Sequence, residues 1–281
     1  MKRKKVITLI AAALAFTMTV CGSSTTIAAS ELTAESKPAT QYTIDANQEV
    51  YALLDFEDTT EFENATKGLL ASPDTLDICD ENGKVVWSQT AYAFLDQDAP
   101  DTANPSLWRN TQLNHIYGLF EVTDGIYQVR GYDMSNVTFI KGDTGWIVVD
   151  PLMSVECAQA AFALVEENLG TFPVKAVIYS HSHVDHFGGV KGIVSEEEVQ
   201  AGNVQVIAPE GFEKHAVSEN IYAGTAMGRR ASYQYGTMLE GGETGSLAIG
   251  IGMGQSKGST SYISPTLEIT QTGEKHTIDG V

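Results

Sequence analysis

The chain has few basic residues and few cysteines for its length. It contains 17 lysines and arginines against 36 aspartates and glutamates in 281 residues, so its formal net charge at pH 7 is −19. A surface this acidic repels nucleic acid and anionic lipid, which makes neither a plausible partner. Three cysteines do not make a disulfide framework, even in an exported protein. The 43% of hydrophobic residues instead predicts an ordinary globular core.

The chain also lacks apolar runs of membrane-spanning length. Its apolar run near the amino terminus is shorter and is typical of a signal peptide over residues 1–29. Four basic residues, Lys2 to Lys5, precede an apolar run from Val6 to Val20 that is too short to span a bilayer comfortably. Small residues offer cleavage before Ser30. Cys21 offers lipid attachment as a minor alternative, although a valine precedes it where a small residue is wanted. We therefore expect export to the periplasm or beyond the cell, and no membrane span.

The rest of the chain divides into three predicted parts. Residues 30–48 are polar and lack a hydrophobic period, which predicts a flexible leader. Residues 49–117 are predicted to be an accessory arm, with a helix over 55–70 and mostly irregular chain beyond it. Residues 118–281 are predicted to form the main domain.

In the main domain, four strand-like runs joined by turn signals precede a helix and a further strand. A mixed sheet with helices outside it is the expected result, which is an α/β (α+β) fold. Another strand, two helices and a glycine-rich loop are predicted to follow, and residues 277–281 are predicted to be a strand. The four initial strands are predicted at residues 119–123, 126–130, 137–141 and 146–150, the helix at 153–169 and the next strand at 174–179.

The segment His181-Ser182-His183-Val184-Asp185-His186 carries the clearest functional signal. It holds three of the six histidines of the chain and follows a predicted buried strand. His181 and His183 are two residues apart, so in extended backbone both imidazoles face the same side and can bind one ion. Asp185 and His186 lie on the turn beyond the strand. This clustering favours two adjacent metal sites over a set of ordinary surface histidines.

Longer stretches around this hexapeptide resemble one family. They are NPSLWR at residues 104–109, the run GLFEVTDGIYQVRGYDMSNVTFIKGDTGWIVVDPL at 118–152, VIYSHSHVDHFGGVKGIV at 177–194 and SENIYAGTAMGRRASYQYG at 218–236. Together they are similar to the zinc-dependent alkyl sulfatases of the metallo-β-lactamase superfamily, and the similarity extends over most of the chain beyond about residue 45. Ser180 stands where that family suggests Thr, and a hydroxyl is kept.

The resemblance implies an αββα sandwich and a site for two zinc ions. It makes His181 and His183 ligands of one zinc and Asp185 and His186 ligands of the other. The implied activity is hydrolysis of alkyl sulfate esters to an alcohol and sulfate by a metal-activated water. Full-length relatives are expected to be homodimers.

The hexapeptide alone does not complete such a site. Two four-coordinate ions that share a water need roughly five or six protein ligands, and the segment offers four. The only histidines downstream are His215, on a predicted surface helix, and His276, in a polar turn, and both are weak candidates. The resemblance places the missing glutamate and histidine ligands beyond Val281. We therefore expect a truncated form with an incomplete binuclear site and a sandwich that is incomplete at its carboxyl terminus.

Substrate-binding residues are predicted less firmly. Arg229 and Arg230 are candidates for a sulfate clamp, because a guanidinium matches a tetrahedral oxyanion. An arginine pair on a helix more often makes ion pairs at the surface. Asn136 and Asn220 are also candidates for sulfate binding, and a structural role is again the more common alternative.

Two other interpretations of the chain stay open. One keeps the superfamily and changes the substrate to a thioester or a β-lactam ring, and the long matches outside the hexapeptide argue against it. The other is a non-catalytic exported metal-binding fragment, or a protein that completes its site with a separate chain.

Overall fold

A computed structural model describes residues 37–281, so the predicted signal peptide and the start of the predicted leader lie outside the described residues. An eight-stranded mixed sheet in the order β1-β4-β5-β6-β7-β8-β9-β10 forms the centre, and β2 and β3 form a separate two-stranded sheet. The strands are β1 Leu69–Ala71, β2 Asp77–Cys79, β3 Val85–Ser88, β4 Gly118–Thr123, β5 Ile126–Arg130, β6 Val137–Lys141, β7 Trp146–Val149, β8 Val174–Ile178, β9 Gln205–Pro209 and β10 Leu267–Ile269.

Seven α-helices flank these strands within residues 37–281. Short 3-10 turns occur at Thr90–Asp96, Val184–His186 and Val190–Gly192, and a π-helical turn covers Ser218–Tyr222. The α-helices are α1 Gln41–Leu53, α2 Thr60–Thr66, α3 Pro105–Asn114, α4 Val155–Leu169, α5 Glu196–Gln200, α6 Phe212–Val217 and α7 Gly224–Tyr235. None of them is both long and apolar enough to cross a bilayer.

The connectivity of the sheet determines where the functional edge lies. Strands β4 to β7 form an antiparallel meander, whereas β7, β8, β9 and β10 pair in parallel. Helix α4 is the crossover between β7 and β8, as parallel pairing requires. The carboxyl ends of β7, β8 and β9 therefore meet at one edge of the sheet. The four predicted hairpin strands, the helix after them and the strand before the hexapeptide are confirmed, and so is the α/β class.

The main core lies between the sheet and α4. The helix buries Cys157, Ala158, Ala161 and Val165, which recur on one face at helical spacing. Trp146 on β7 is fully buried among aromatic rings of the core. The opposite face carries a smaller apolar group of Ile147, Ala176 and Ile207. Within residues 37–281 only one large sheet forms, so the second large sheet of an αββα sandwich is not part of the described structure.

Two predictions for the amino-terminal region are wrong. Helix α1 occupies residues 41–48 of the predicted flexible leader, with the Thr40 hydroxyl accepting a hydrogen bond from Thr43 N as an amino-terminal cap. The helix predicted over 55–70 is only α2, since the chain turns at Gly68 into strand β1. A Cβ at Gly68 would lie 2.2 Å from the carbonyl oxygen of Glu121, so this close approach to β4 requires glycine.

Two other segments differ from the prediction, one because of local helix capping and one because of a contact distant in sequence. Helix α3 replaces the irregular chain predicted there, because Asn104 caps it through Ser106 N and Pro105 opens its first turn. Residues 277–281 are not a strand. Asp279 has a φ of 49° and accepts hydrogen bonds from Thr144 in the turn between β6 and β7, which holds this segment in a turn of its own.

Candidate metal centre

The hexapeptide follows β8 at the carboxyl edge of the parallel strands. The ring centroids of His181 and His183 are 4.6 Å apart, and those of His181 and His186 are 4.1 Å apart. Asp185 Oδ2 lies 3.1 Å from His186 Nε2. The structure thus brings together all four residues that the sequence predicted as metal ligands.

Two glycines after the hexapeptide allow it to pack against the start of α4. A Cβ at Gly188 would lie 2.2 Å from the carbonyl oxygen of Met153, and one at Gly189 would lie 2.2 Å from that of Pro151. Real Cβ atoms do not approach backbone this closely, so a side chain at either position would push the loop away from the connection between β7 and α4.

Asp150, at the end of β7, is a site residue that the sequence analysis missed. Its Oδ2 lies 2.8 Å from His186 Nδ1, and its carboxylate accepts hydrogen bonds from the backbone N and the hydroxyl of Ser180. Its φ is 56°, a left-handed conformation that costs a non-glycine residue roughly 1–2 kcal/mol. The available signal was its place at the end of a strand, but its contacts depend on β7 lying beside β8.

Glu219 is a second residue that the sequence analysis missed. It lies in the π-helical turn after α6, and its Oε1 is 3.3 Å from His183 Nε2. Its side chain is mostly buried, whereas that of His183 is more exposed. The acidic residue reaches the hexapeptide from 36 positions further along the chain, at a distance that local spacing cannot reveal.

The carboxylates set the charge of the cluster. Burial lowers the pKa of His186, but hydrogen bonds to Asp150 and Asp185 outweigh burial and raise it to about 9. Burial and the neighbouring histidines lower the pKa of His181. Burial raises the pKa of Asp185, but the hydrogen bond and charge of His186, its own backbone N–H and the neighbouring His183 together lower it more, so the net shift is downward. Without metal, His186 is therefore a cation paired with two carboxylates at neutral pH.

The donor chemistry fits a divalent ion. Three imidazole nitrogens and a carboxylate are ligands that zinc accepts. Within residues 37–281, however, no three donor side chains already converge on one point. The rings lie close together, yet their donor atoms do not converge, because two ring nitrogens face carboxylates instead. His186 Nε2 contacts Asp185, and His183 Nε2 contacts Glu219. An ion that bound through Nε2 of either histidine would have to displace the carboxylate contact at that nitrogen and take the place of its proton.

Two cavities border the cluster on different sides. One, of about 360 Å³, is lined by Asp150, Asp185 and His186 together with polar groups that include Asn136. The other, of about 280 Å³, is almost entirely apolar and is bounded by Val184 and Phe187 of the hexapeptide loop and by residues of α6. A further cavity, of about 980 Å³, lies between β2 and α4 and includes none of the hexapeptide.

The weaker candidates are dispersed. Asn136 lines the polar cavity, whereas Asn220 lines the apolar one and donates a hydrogen bond to Ala216 O. Arg229 and Arg230 are exposed on α7 and form no ion pair within the described chain. The structure therefore does not support the alternative that they make ion pairs at the surface. Their role as a sulfate clamp stays a prediction.

The two downstream histidines lie outside the cluster. His215 is exposed on α6. His276 Nε2 lies 2.7 Å from Glu274 Oε1 in the carboxyl-terminal segment. Within the described residues, neither forms a hydrogen bond or an ion pair with a residue of the hexapeptide.

Comparison with known proteins gives consistent matches. Residues 130–263 match the sequence profile of the metallo-β-lactamase superfamily. The chain is 50% identical to a linear primary-alkylsulfatase of Pseudomonas sp. over 248 residues, and 48% identical to an alkyl/aryl-sulfatase of Saccharomyces cerevisiae over 240 residues. These alignments cover 88% and 85% of this chain.

A solved structure supports the same similarity. The stereoselective inverting sec-alkylsulfatase of Pseudomonas sp. is 48% identical, with a TM-score of 0.83 over 87% of this chain and 39% of that chain. The chain spans 37% of the length of the two curated relatives. The similarity that the sequence motifs indicated is thereby confirmed for the region that the chain contains.

Proposed function

The chain belongs to the metallo-β-lactamase superfamily, as a relative of its alkylsulfatases, and on that premise we propose that it contributes to hydrolysis of alkyl sulfate esters to an alcohol and sulfate. The observation that carries the proposal is the clustering of His181, His183, Asp185 and His186 at the carboxyl edge of the sheet. The superfamily binds divalent metal, and we propose zinc as the ion.

Each residue of the cluster has a role in this proposal. His181 and His183 hold one ion, and Asp185 and His186 hold the other. When bound, the ions activate water and polarise the ester oxygens. Asp150 fixes the ring of His186 through its Nδ1 and so keeps Nε2 directed towards the ion.

The two cavities suit the two ends of an alkyl sulfate. The polar cavity beside Asp185 and His186 offers Asn136 as a hydrogen-bond donor for sulfate oxygens. The apolar cavity beside Val184 and Phe187 offers a dry wall for an alkyl chain. Metal ions are also needed to reverse the sign of the field, because so acidic a protein otherwise repels an anionic ester.

The predicted signal peptide supports an exported location as part of the same proposal. A second candidate is a non-catalytic exported metal-binding protein. It is favoured by the ligand count, because the hexapeptide offers four donors where two four-coordinate ions that share a water need roughly five or six.

Sulfate release from dodecyl sulfate tests the proposal. The preparations are zinc-loaded chain, chelated chain, His181→Ala and the matched control His215→Ala, which removes an exposed histidine outside the cluster. We expect slow release that chelation and His181→Ala abolish and that His215→Ala leaves unchanged. Turnover of nitrocefin or of a glutathione thioester without sulfate release would favour another hydrolase. Zinc binding without turnover of any of the three substrates would favour the non-catalytic candidate.

A further inference from the structure

An open cavity of about 980 Å³ lies between strand β2 and the outer face of helix α4. Residues 77–82 form one wall, and the face of α4 that runs from Glu156 to Glu167 forms the other. We call this cavity the β2–α4 trough. It includes all three residues of β2, none of β3 and none of the hexapeptide, so its role does not depend on the proposed function.

The edge of β2 that borders the trough has no strand beside it. β2 pairs only with β3, and the flanking groups Leu76 O and Asp80 N both bond towards β3. Because residues of an antiparallel strand alternate between bonding to the partner strand and facing away from it, Ile78 also bonds to β3. The backbone groups of Asp77 and Cys79 therefore point away from β3, and within residues 37–281 they form no hydrogen bond. An unpaired edge of this kind can pair with an added strand.

The charge of the trough is entirely negative. Its lining holds five carboxylates and no lysine or arginine, and the five belong to Asp77, Asp80, Glu81, Glu156 and Glu167. Asp80 and Glu156 already accept hydrogen bonds from backbone N–H groups. Glu81 and Glu167 are exposed and have no hydrogen-bond or ion-pair partner among the described residues. Uncompensated charge of one sign attracts and orients a ligand of the opposite sign.

The α4 wall between Glu156 and Glu167 is apolar and shallow. Ala160, Ala163 and Leu164 line it, and Ala163 is exposed. Side chains of an extended chain alternate between two sides. A ligand with alternating basic and apolar residues can therefore present one set to the carboxylates and the other to this wall.

We propose that the β2–α4 trough binds an extended segment of another protein, with alternating basic and apolar residues, as a third strand on the free edge of β2. Backbone hydrogen bonds to Asp77 and Cys79 fix the register of the segment, and Glu81 and Glu167 pair with its basic side chains. Recognition by strand addition takes affinity from main-chain bonds and specificity from alternate side chains. A helix would leave the free edge unpaired, and a small cation would leave the apolar wall uncovered as well.

Binding of a defined peptide tests the proposal. The probe is a fluorescein-labelled seven-residue peptide of alternating lysine and valine, measured by fluorescence anisotropy against the whole chain. The double variant Glu81→Gln/Glu167→Gln is compared with the matched control Glu121→Gln/Asp124→Asn, which removes the same charge from the exposed β4–β5 hairpin. We expect binding to weaken about three- to tenfold in the first and to stay within about twofold in the control.

A second variant tests the α4 wall. Ala163→Arg places a bulky cation in the trough, and arginine is a good helix former, so α4 should persist. We expect peptide binding to weaken by about fivefold or more, because the cation repels the lysines of the probe. Spermine carries positive charge without a peptide backbone and should compete at least about tenfold less well than unlabelled peptide.

Amide hydrogen exchange, followed by NMR, identifies the edge that the peptide uses. We expect the peptide to slow exchange of the Asp77 and Cys79 amides by about tenfold or more and to leave the Ile78 amide, already bonded to β3, unchanged. Absence of binding, equal weakening in the charge-matched control, or binding without protection of Asp77 and Cys79 would each overturn the proposal. Competition by spermine as strong as that of the peptide would identify a small-cation site instead. Self-association of the chain that the peptide abolishes would show that a second copy covers the trough, and it too would contradict the proposal.

Discussion

Asp150 Oδ2 lies 2.8 Å from His186 Nδ1, although 36 positions separate the two residues in the chain. The contact exists because β7 and β8 pair in parallel and end together, with Val149 opposite Ile178. Asp150 N also donates to Ile178 O at 2.9 Å, which places its side chain over the hexapeptide. The Asp150 carboxylate thereby links the end of β7 to the hexapeptide that follows β8.

Replacing Asp150 by Asn tests this link. The amide keeps the size of the side chain and removes its negative charge, so the pKa of His186 should fall from about 9 towards its ordinary value. We expect zinc affinity to fall by about 10–100-fold, because His186 loses its orienting partner. NMR titration of the metal-free chain measures the first effect and chelator competition the second. Asp124→Asn, in the exposed turn between β4 and β5, should change neither.

Replacing Gly189 by Ala tests the close approach of the metal loop to the start of α4. The new Cβ would lie 2.2 Å from Pro151 O and 2.6 Å from Ser154 O, so the loop must move. We expect a loss of about 1–3 kcal/mol in the free energy of unfolding, measured by urea denaturation, and weaker zinc binding. Gly228→Ala is the control. Nothing lies within 4 Å of its Cβ position on α7, and alanine favours helix, so stability should stay level or rise by up to about 1 kcal/mol.

Replacing Phe212 by Ala tests the aromatic packing beneath the site, where the Phe212 ring contacts Tyr179 and Phe187 on either side of the hexapeptide. The ring is 2% exposed, and large-to-small changes of this kind cost about 3–5 kcal/mol. We expect a loss of that size in chemical denaturation, together with weaker zinc binding. Tyr233→Ala, which removes a ring that is 93% exposed, should alter stability by less than about 0.5 kcal/mol. Equal effects of the two substitutions would contradict the claim that packing of the Phe212 ring stabilises the fold and the site.

The stability of the accessory region should depend on pH through His115. Burial lowers the pKa of His115 below 6.5, so the unfolded chain binds this proton more readily than the folded chain. Its contribution to stability is complete above pH 6.5 and is lost as the pH falls through the lowered value. Urea denaturation at pH 7.5 and pH 5.5 should show a smaller decrease for His115→Gln than for the unsubstituted chain. His215→Gln, which changes an exposed histidine, should follow the unsubstituted chain.

The sequence predicted the elements that depend on local pattern. The hairpin strands from β4 to β7 follow from alternating residues and turn glycines, and α4 follows from apolar residues on one face. Helix α3 was missed although its cap, Asn104, and its first residue, Pro105, were visible. The strand predicted over 277–281 was wrong because Asp279 binds a turn more than 130 positions away.

For the site, the sequence by itself determined which side chains can bind metal, since His181, His183, Asp185 and His186 lie within six positions and need only a strand end to meet. Only the tertiary structure decided how those rings are held. Asp150 reaches His186 through the pairing of two parallel strands, and Glu219 reaches His183 from the π-helical turn after α6. Both contacts join residues 36 positions apart. Separations of that size carry no periodic signal, because chain folding, not local geometry, brings the partners together.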